Sequence, residues 1–144
     1  MQTAASTLGF EIKLVNATAE RDLDAVFASL PQLRADALVV SNSSPFNSSS
    51  ERLGALAARH AVPTIFQSLE FVAGGGLLSY GGRIEEAWRL AGLYVGRILK
   101  GEKPTDLPVQ QATKVEMILN LKAARALDIN VPLPLLGRAD EVIE

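Results

Sequence analysis

One histidine (His60), no cysteine and a run of three glycines, Gly74-Gly75-Gly76, are where catalysis or cofactor binding would have to begin. His60 closes an apolar-periodic segment, a place that suits a surface imidazole interacting with the end of a helix. No motif accompanies it as a general base would require. Spacing alone does not exclude a Ser-His-Asp triad, which assembles from distant positions. No Gly-x-Ser-x-Gly turn is present to expose a serine nucleophile. With one His and no Cys, a zinc site lacks ligands. A dinucleotide loop places its glycines between a strand and a helix, with an acidic residue about 20 positions later. Here the glycines run into Leu77-Leu78-Ser79-Tyr80, a strand-like run, so the expected role is backbone freedom at a chain crossing. Gly101-Glu102-Lys103-Pro104 carries Pro where a Walker loop needs Ser or Thr. The reading is no catalytic residue, no metal and no cofactor.

Binding is better served. Ala37-Leu38-Val39-Val40 is a short apolar run, as in a strand buried on both faces, and a polar loop follows it. Open α/β folds bind their ligands at the carboxyl ends of such strands. Asn42, Ser43 and Ser44 offer neutral hydrogen-bonding groups for a small polar ligand, and Phe46 offers either apolar ligand surface or ordinary packing. Gln67, Ser68 and Glu70, with Phe71 beside them, leave the next strand at the same edge. Ser48, Ser49 and Ser50 read as solvated loop and helix cap, with Ser48 and Glu51 in capping-box spacing. The Asn-x-Ser/Thr triplets at Asn16, Asn42 and Asn47 match a glycosylation sequon, a pattern short enough to recur by chance.

The elements that would position these residues alternate in type. Phe10, Ile12 and Leu14 alternate with Glu11 and Lys13 and predict a strand over 10–15. Leu23, Val26, Phe27 and Leu30 share a helical face within 19–33. A strand at 37–40, a helix to His60 and a strand at 62–66 follow. Strand and helix in alternation with short links predict parallel βαβ units with right-handed crossovers. Gly81-Gly82 breaks the strand at 77–80. Ile84, Trp88, Ala91, Val95 and Ile98 mark an amphipathic helix with Trp88 toward a core, ended by Gly101. A strand at 115–119, a short helix capped by Asn120 and a closing helical segment after Pro132 complete the reading.

Composition narrows the classes. The chain has 144 residues, 48% of them hydrophobic and 21% charged, enough for one globular domain with a core. A net charge of −2 without a basic stripe argues against nucleic acid as partner. No apolar run approaches the roughly 20 residues that span a bilayer.

Five segments follow one another in the second half: Gly75-Gly76-Leu77-Leu78-Ser79-Tyr80-Gly81, Ala91-Gly92-Leu93-Tyr94-Val95-Gly96-Arg97-Ile98-Leu99-Lys100-Gly101-Glu102-Lys103-Pro104, Asp106-Leu107-Pro108-Val109-Gln110, Leu119-Asn120-Leu121-Lys122-Ala123-Ala124-Arg125-Ala126-Leu127 and Arg138-Ala139-Asp140-Glu141-Val142-Ile143. In this order and spacing they resemble the substrate-binding proteins of ABC importers of the tryptophan/tyrosine type. The earlier Leu33–Val40 and Leu56–Pro63 stretches fit as well, so the resemblance covers essentially the whole chain. It implies a partial type I periplasmic-binding-protein fold, mostly the second of two lobes: residues 1–76 as an α/β core lacking its first strand, 77–112 as a hinge crossing at Gly81 and Gly82 with a first-lobe helix, and 113–144 as the return with C-terminal helices. It further implies a small amino-acid-like solute bound between lobes, an ABC permease as partner of the full-length protein, a periplasmic location and no enzymatic activity. A complete member of the family is about twice as long. The resemblance therefore has the chain begin inside the second lobe, without most of the first lobe or a signal peptide. Apolar surface left without its partner then predicts a homodimer or higher oligomer. The alternatives are a small α/β enzyme or a response-regulator-like signalling domain, whose acid/base pair or acidic strand end is not visible in the sequence.

Overall fold

The computed structural model describes residues 2–110 and 115–144. A five-stranded sheet in the order β1-β2-β3-β4-β5 organises the chain. β1 (Leu38–Val39), β2 (Thr64–Phe66) and β3 (Leu78–Gly81) are parallel; β4 (Glu116–Asn120) runs antiparallel to β3, and β5 (Glu141–Ile143) is parallel to β4. The α/β class and the βαβ units expected from the sequence are present. The boundary expected at 112–113 lies outside the described residues.

Eight α-helices occur among the described residues: α1 (Gln2–Leu8), α2 (Leu23–Ser29), α3 (Ser44–Ser48), α4 (Ser50–Arg59), α5 (Leu69–Ala73), α6 (Ile84–Leu99), α7 (Leu121–Ala126) and α8 (Leu133–Leu136). Among the described residues six have φ between +51° and +111°: Gly9, Arg34, Ala61, Gly75, Gly101 and Asp128. In each case the next amide donates to the carbonyl five residues before it, from Phe10 to Ala5, Ala35 to Leu30, Val62 to Ala57, Gly76 to Phe71, Glu102 to Arg97 and Ile129 to Ala124. The left-handed residue thus turns the chain so that a terminal carbonyl finds a donor, the Schellman closure. Only three of the six are glycine.

The core gathers where α2, α4 and α5 meet the sheet. Leu23, Phe27 and Leu30 pack with Leu53, Leu56 and Ala57, and with Phe66, Phe71, Val72 and Ile118. Phe66 and Phe71 meet edge to face with centroids 6.0 Å apart, a contact worth about 0.5–1.5 kcal/mol beyond burial. His60 lies half-buried at the end of α4 with its ring 5.7 Å from that of Phe27. β4 is buried along its whole length. Its Met117 exchanges two hydrogen bonds with Asp140, backbone amide to carboxylate at 2.9 Å and Asp140 amide to Met117 carbonyl at 2.8 Å, which leads into β5.

The structure corrects the sequence reading in several places. The run at 37–40, expected to be buried on both faces, is the edge strand β1, with Leu38 half-buried and Val39 61% exposed. Residues 10–15 form no strand, and Phe10 and Leu14 stand exposed. Alternation yields a strand only where another strand completes the ladder, and β1, an edge strand, pairs only with β2. The helix expected over 19–33 shortens to a 3₁₀ turn at Glu20–Asp22 and α2, with the Asp22 carboxylate accepting from the amides of Thr18 and Ala19 and the Thr18 hydroxyl. These bonds, the Thr18 amide first, hold the Asp22 carboxyl below its ordinary range. Ser48 makes no capping box; its hydroxyl donates back to the carbonyls of Ser44 and Pro45, and α4 starts at Ser50. The closing segment is α8 followed by strand β5 instead of helix throughout. Gly74-Gly75-Gly76 closes α5 instead of serving a crossing: Gly75 takes the positive φ that ends the helix, while Gly74 and Gly76 are packed tightly. A Cβ on Gly74 would lie 2.3 Å from the Glu51 carbonyl oxygen, and one on Gly76 would lie 2.2 Å from the Phe71 ring.

Trp88, expected toward a core, is 70% exposed, and α6 buries none of its residues. Its apolar stripe of Ile84, Trp88, Val95 and Ile98 meets no other element of the described chain closely enough to be covered.

Candidate functional site

The carboxyl ends of β1 and β2 lie side by side because Leu38 pairs with Thr64 and Val39 with Ile65. The Leu38 amide donates to the Pro63 carbonyl (2.8 Å) and the Val40 amide to that of Ile65 (3.0 Å), so the two strands release their loops together. From β1 come Asn42, Ser43 and the short helix α3; from β2 come Gln67, Ser68 and α5.

Three side-chain amides connect the two loops. The Asn47 amide nitrogen donates to Asn42 Oδ1 at 3.1 Å, and Gln67 Nε2 donates to Asn47 Oδ1 at 3.0 Å. Asn42 and Asn47 are exposed and Gln67 is half-buried. The chain of bonds uses one group of each partner and leaves donors and acceptors for a ligand, since each primary amide has two N–H groups and a two-lone-pair oxygen. Asn47 joins Asn42 and Gln67, yet sequence reasoning missed it as a site residue. It entered only as a sequon beside a serine run, and its spacing of five from Asn42 was the available signal.

The other expected residues divide. Ser43 precedes α3 in extended conformation and makes no side-chain cap, so its hydroxyl is not consumed by the helix. Ser44 opens α3 and is exposed. Ser68 caps α5: its Oγ accepts from the Phe71 amide and donates to Glu70 Oε2 at 2.7 Å. That hydroxyl bond holds the Glu70 carboxyl below its ordinary range. Glu70 is exposed, a fixed negative charge suited to an ammonium group. Phe46 packs against the core cluster, and Phe71 is fully buried within it.

β3 and β4 also reach this edge. Gly81 pairs with Glu116 at the last step of their ladder, and a Cβ on Gly81 would sit 2.4 Å from the Gln67 carbonyl oxygen. Glycine is required there by close approach of the Gln67 backbone. Beyond Gly82, Arg83 forms an ion pair with the buried Glu116 and precedes α6.

Two concavities lie elsewhere, toward the opposite ends of β1–β3. One is an apolar space of about 60 Å³ between Ala57, Val62, Leu77 and Leu127, too small for a solute of amino-acid size. The other is an open groove bounded by Val72, Asn120, Lys122 and Ile143. With Asn42, Asn47 and Glu70 exposed, the polar edge presents an open wall. Among the described residues, no cluster of three or more metal-ligating His, Cys, Asp or Glu exists, and no helix is long and apolar enough to cross a membrane.

Comparison with solved structures places the whole architecture. A conserved domain protein from Vibrio cholerae superposes with a TM-score of 0.86 at 23% identity, covering 98% of this chain and 47% of its own. An ABC domain in complex with L-Trp from Streptococcus pneumoniae gives 0.85 at 22% identity, covering 98% and 48%. A substrate-binding protein with adhesive properties from Clostridium difficile, in its ligand-free, open form, gives 0.61 at 23% identity, covering 99% and 47%. The chain therefore spans about half the length of the solved structures it matches. No curated protein matches the sequence. The family model described as ABC transporter substrate binding protein matches residues 2–143. The chain belongs to the family of ABC transporter substrate-binding proteins.

Proposed function

We propose that this chain supplies one wall of the solute clamp of an ABC importer, binding without chemical conversion, outside the cytoplasmic membrane. The observation that carries the reading is the Asn42–Asn47–Gln67 amide network, exposed at the carboxyl ends of adjacent parallel strands. Such neutral groups recognise a small polar solute, with Ser43 and Ser44 beside them and Glu70, held by Ser68, for an ammonium group. An amino-acid-like solute suits that set. The opposing wall belongs to a second lobe, of which α6 is a part, joined through Gly81 and Gly82. Binding energy drawn from both lobes would favour a closed clamp, the form a permease partner would recognise. The better fit to the L-Trp complex than to the ligand-free, open protein is what two bodies joined at such a crossing would give.

One wall binds weakly. Titration calorimetry of the chain with tryptophan, tyrosine, phenylalanine and the branched amino acids is expected to give little or no heat. A submicromolar Kd, about −8 kcal/mol or more favourable, would show a complete site and overturn the half-clamp.

The exposed α6 stripe predicts association of the isolated chain. Light scattering at working concentration is expected to give the mass of a dimer or higher oligomer, with Trp88→Glu lowering it. A monomeric mass for the wild-type chain contradicts the expectation.

A further inference from the structure

The segment that carries α6 is joined to the sheet through β3 and β4, and among the described residues the contact between the two is sparse. α6 buries no residue. Its region's side-chain bonds mostly stay within it: Arg89 to Glu86, Arg97 to Glu102 and the Tyr94 hydroxyl to the Pro108 carbonyl. Among the ion pairs between described residues, Arg83 with Glu116 is the one that crosses from this segment to the sheet.

Its two ends sit in different settings. Glu116 is the first residue of β4, 5% exposed, and opposite Gly81 in the last register pair of the antiparallel ladder. Gly81 is held against the Gln67 backbone, so the strand end cannot shift without moving a candidate solute residue. Arg83 lies two residues further on, immediately before the first turn of α6, with its side chain about half exposed. Its Nε donates to Glu116 Oε2. The pair therefore ties the root of α6 to the rigid end of the sheet, spanning Gly82. Glu85 and Glu141 are the other charges acting on Arg83, and both also favour its cationic form. A charge-assisted bond anchored at a buried carboxylate has direction, which a lone glycine joint does not.

We propose that Arg83 and Glu116 are positioning residues that set the angle at which the α6 segment leaves the sheet. In the two-lobe reading, on which this rests, they bias the clamp between its open and closed arrangements. Because the chain has no cysteine, spin labels at Arg59→Cys on α4 and Lys100→Cys after α6 report that angle by pulsed electron resonance. Excess unlabelled protein restricts the readout to distances within one chain. The expected result is a single narrow distance distribution in the parent, broadened to about twice the width by Arg83→Ala as the joint gains accessible angles. Glu116→Gln is expected to broaden it in the same way, and Arg83→Lys, which keeps the charge, to restore most of the narrowness. A distribution unchanged by Arg83→Ala, with circular dichroism also unchanged, overturns the assignment. That variant changes a half-exposed side chain, so the test survives if Glu116→Gln fails to fold. Solute is not needed for this readout. A submicromolar Kd by calorimetry with an intact angular response would count against the half-clamp reading alone.

Discussion

Alanine at Gly54 is expected to destabilise the protein by about 3 kcal/mol or more, while alanine at Gly92 stabilises it by roughly 0.5–1 kcal/mol. Both glycines lie inside helices, where Ala is the better helix former by about 1 kcal/mol. What reverses the sign is the neighbourhood. A Cβ on Gly54 would fall 2.1 Å from the Phe71 carbonyl oxygen, 3.0 Å from the Gly74 carbonyl carbon and 3.1 Å from the Gly76 amide nitrogen. All three are backbone atoms, so no rotamer change relieves the overlap, and α4 and α5 must separate around the fully buried Phe71. At Gly92 nothing lies within 4 Å of the added methyl. Urea denaturation of the two variants checks the pair. Equal shifts in midpoint for both would show that the α4–α5 contact is looser than described.

Asn120→Ala is expected to cost about 2–4 kcal/mol. Asn120 is buried, and its side chain serves two backbones: Oδ1 accepts from the Ala123 amide at 2.9 Å and caps α7, while Nδ2 donates to the Val72 carbonyl at 3.2 Å. Alanine removes the cap and the side-chain donor to the Val72 carbonyl, leaving that oxygen to the Gly75 amide at 3.0 Å. Asn120→Asp separates the two roles, since a carboxylate keeps the cap but cannot donate to Val72 and becomes a buried charge facing a carbonyl. Thermal unfolding is expected to fall for both variants, and no less for Asp than for Ala. Full stability in Asn120→Asp would mean that the bond to Val72 contributes nothing.

That Asn120 caps α7 was legible before any coordinates, because a polar residue between an apolar run and a helical period has few other uses. The same holds for the βαβ order and for Gly101 at the end of α6, where local chemistry alone dictates the outcome. Phe10 to Val15 was misread because alternation describes only one side of a strand, and the ladder partner is a non-local fact. Val142 and Ile143 were misread as helix because three residues carry no period, and only their pairing beside β4 makes them a strand. Trp88 illustrates the same limit from the other side: helical spacing identified its face, while among the described residues no element covers it. Within the site, Asn42 and Gln67 were legible from their place after short apolar strands, although β1 proved to be an edge strand with Val39 exposed. Asn47 was not, since its role depends on the turn of α3 that brings it between the other two.

The claim that the carboxyl edge of β1 and β2 forms the solute wall is tested most directly by the side-chain amide resonances of the labelled chain. As L-tryptophan is titrated to millimolar concentration, the NH₂ signals of Asn42, Asn47 and Gln67 are expected to move together, while that of the buried Asn120 stays fixed. Stationary signals at those three amides, with movement instead around Val72, Lys122 and Ile143 at the far edge or nowhere, would contradict the account.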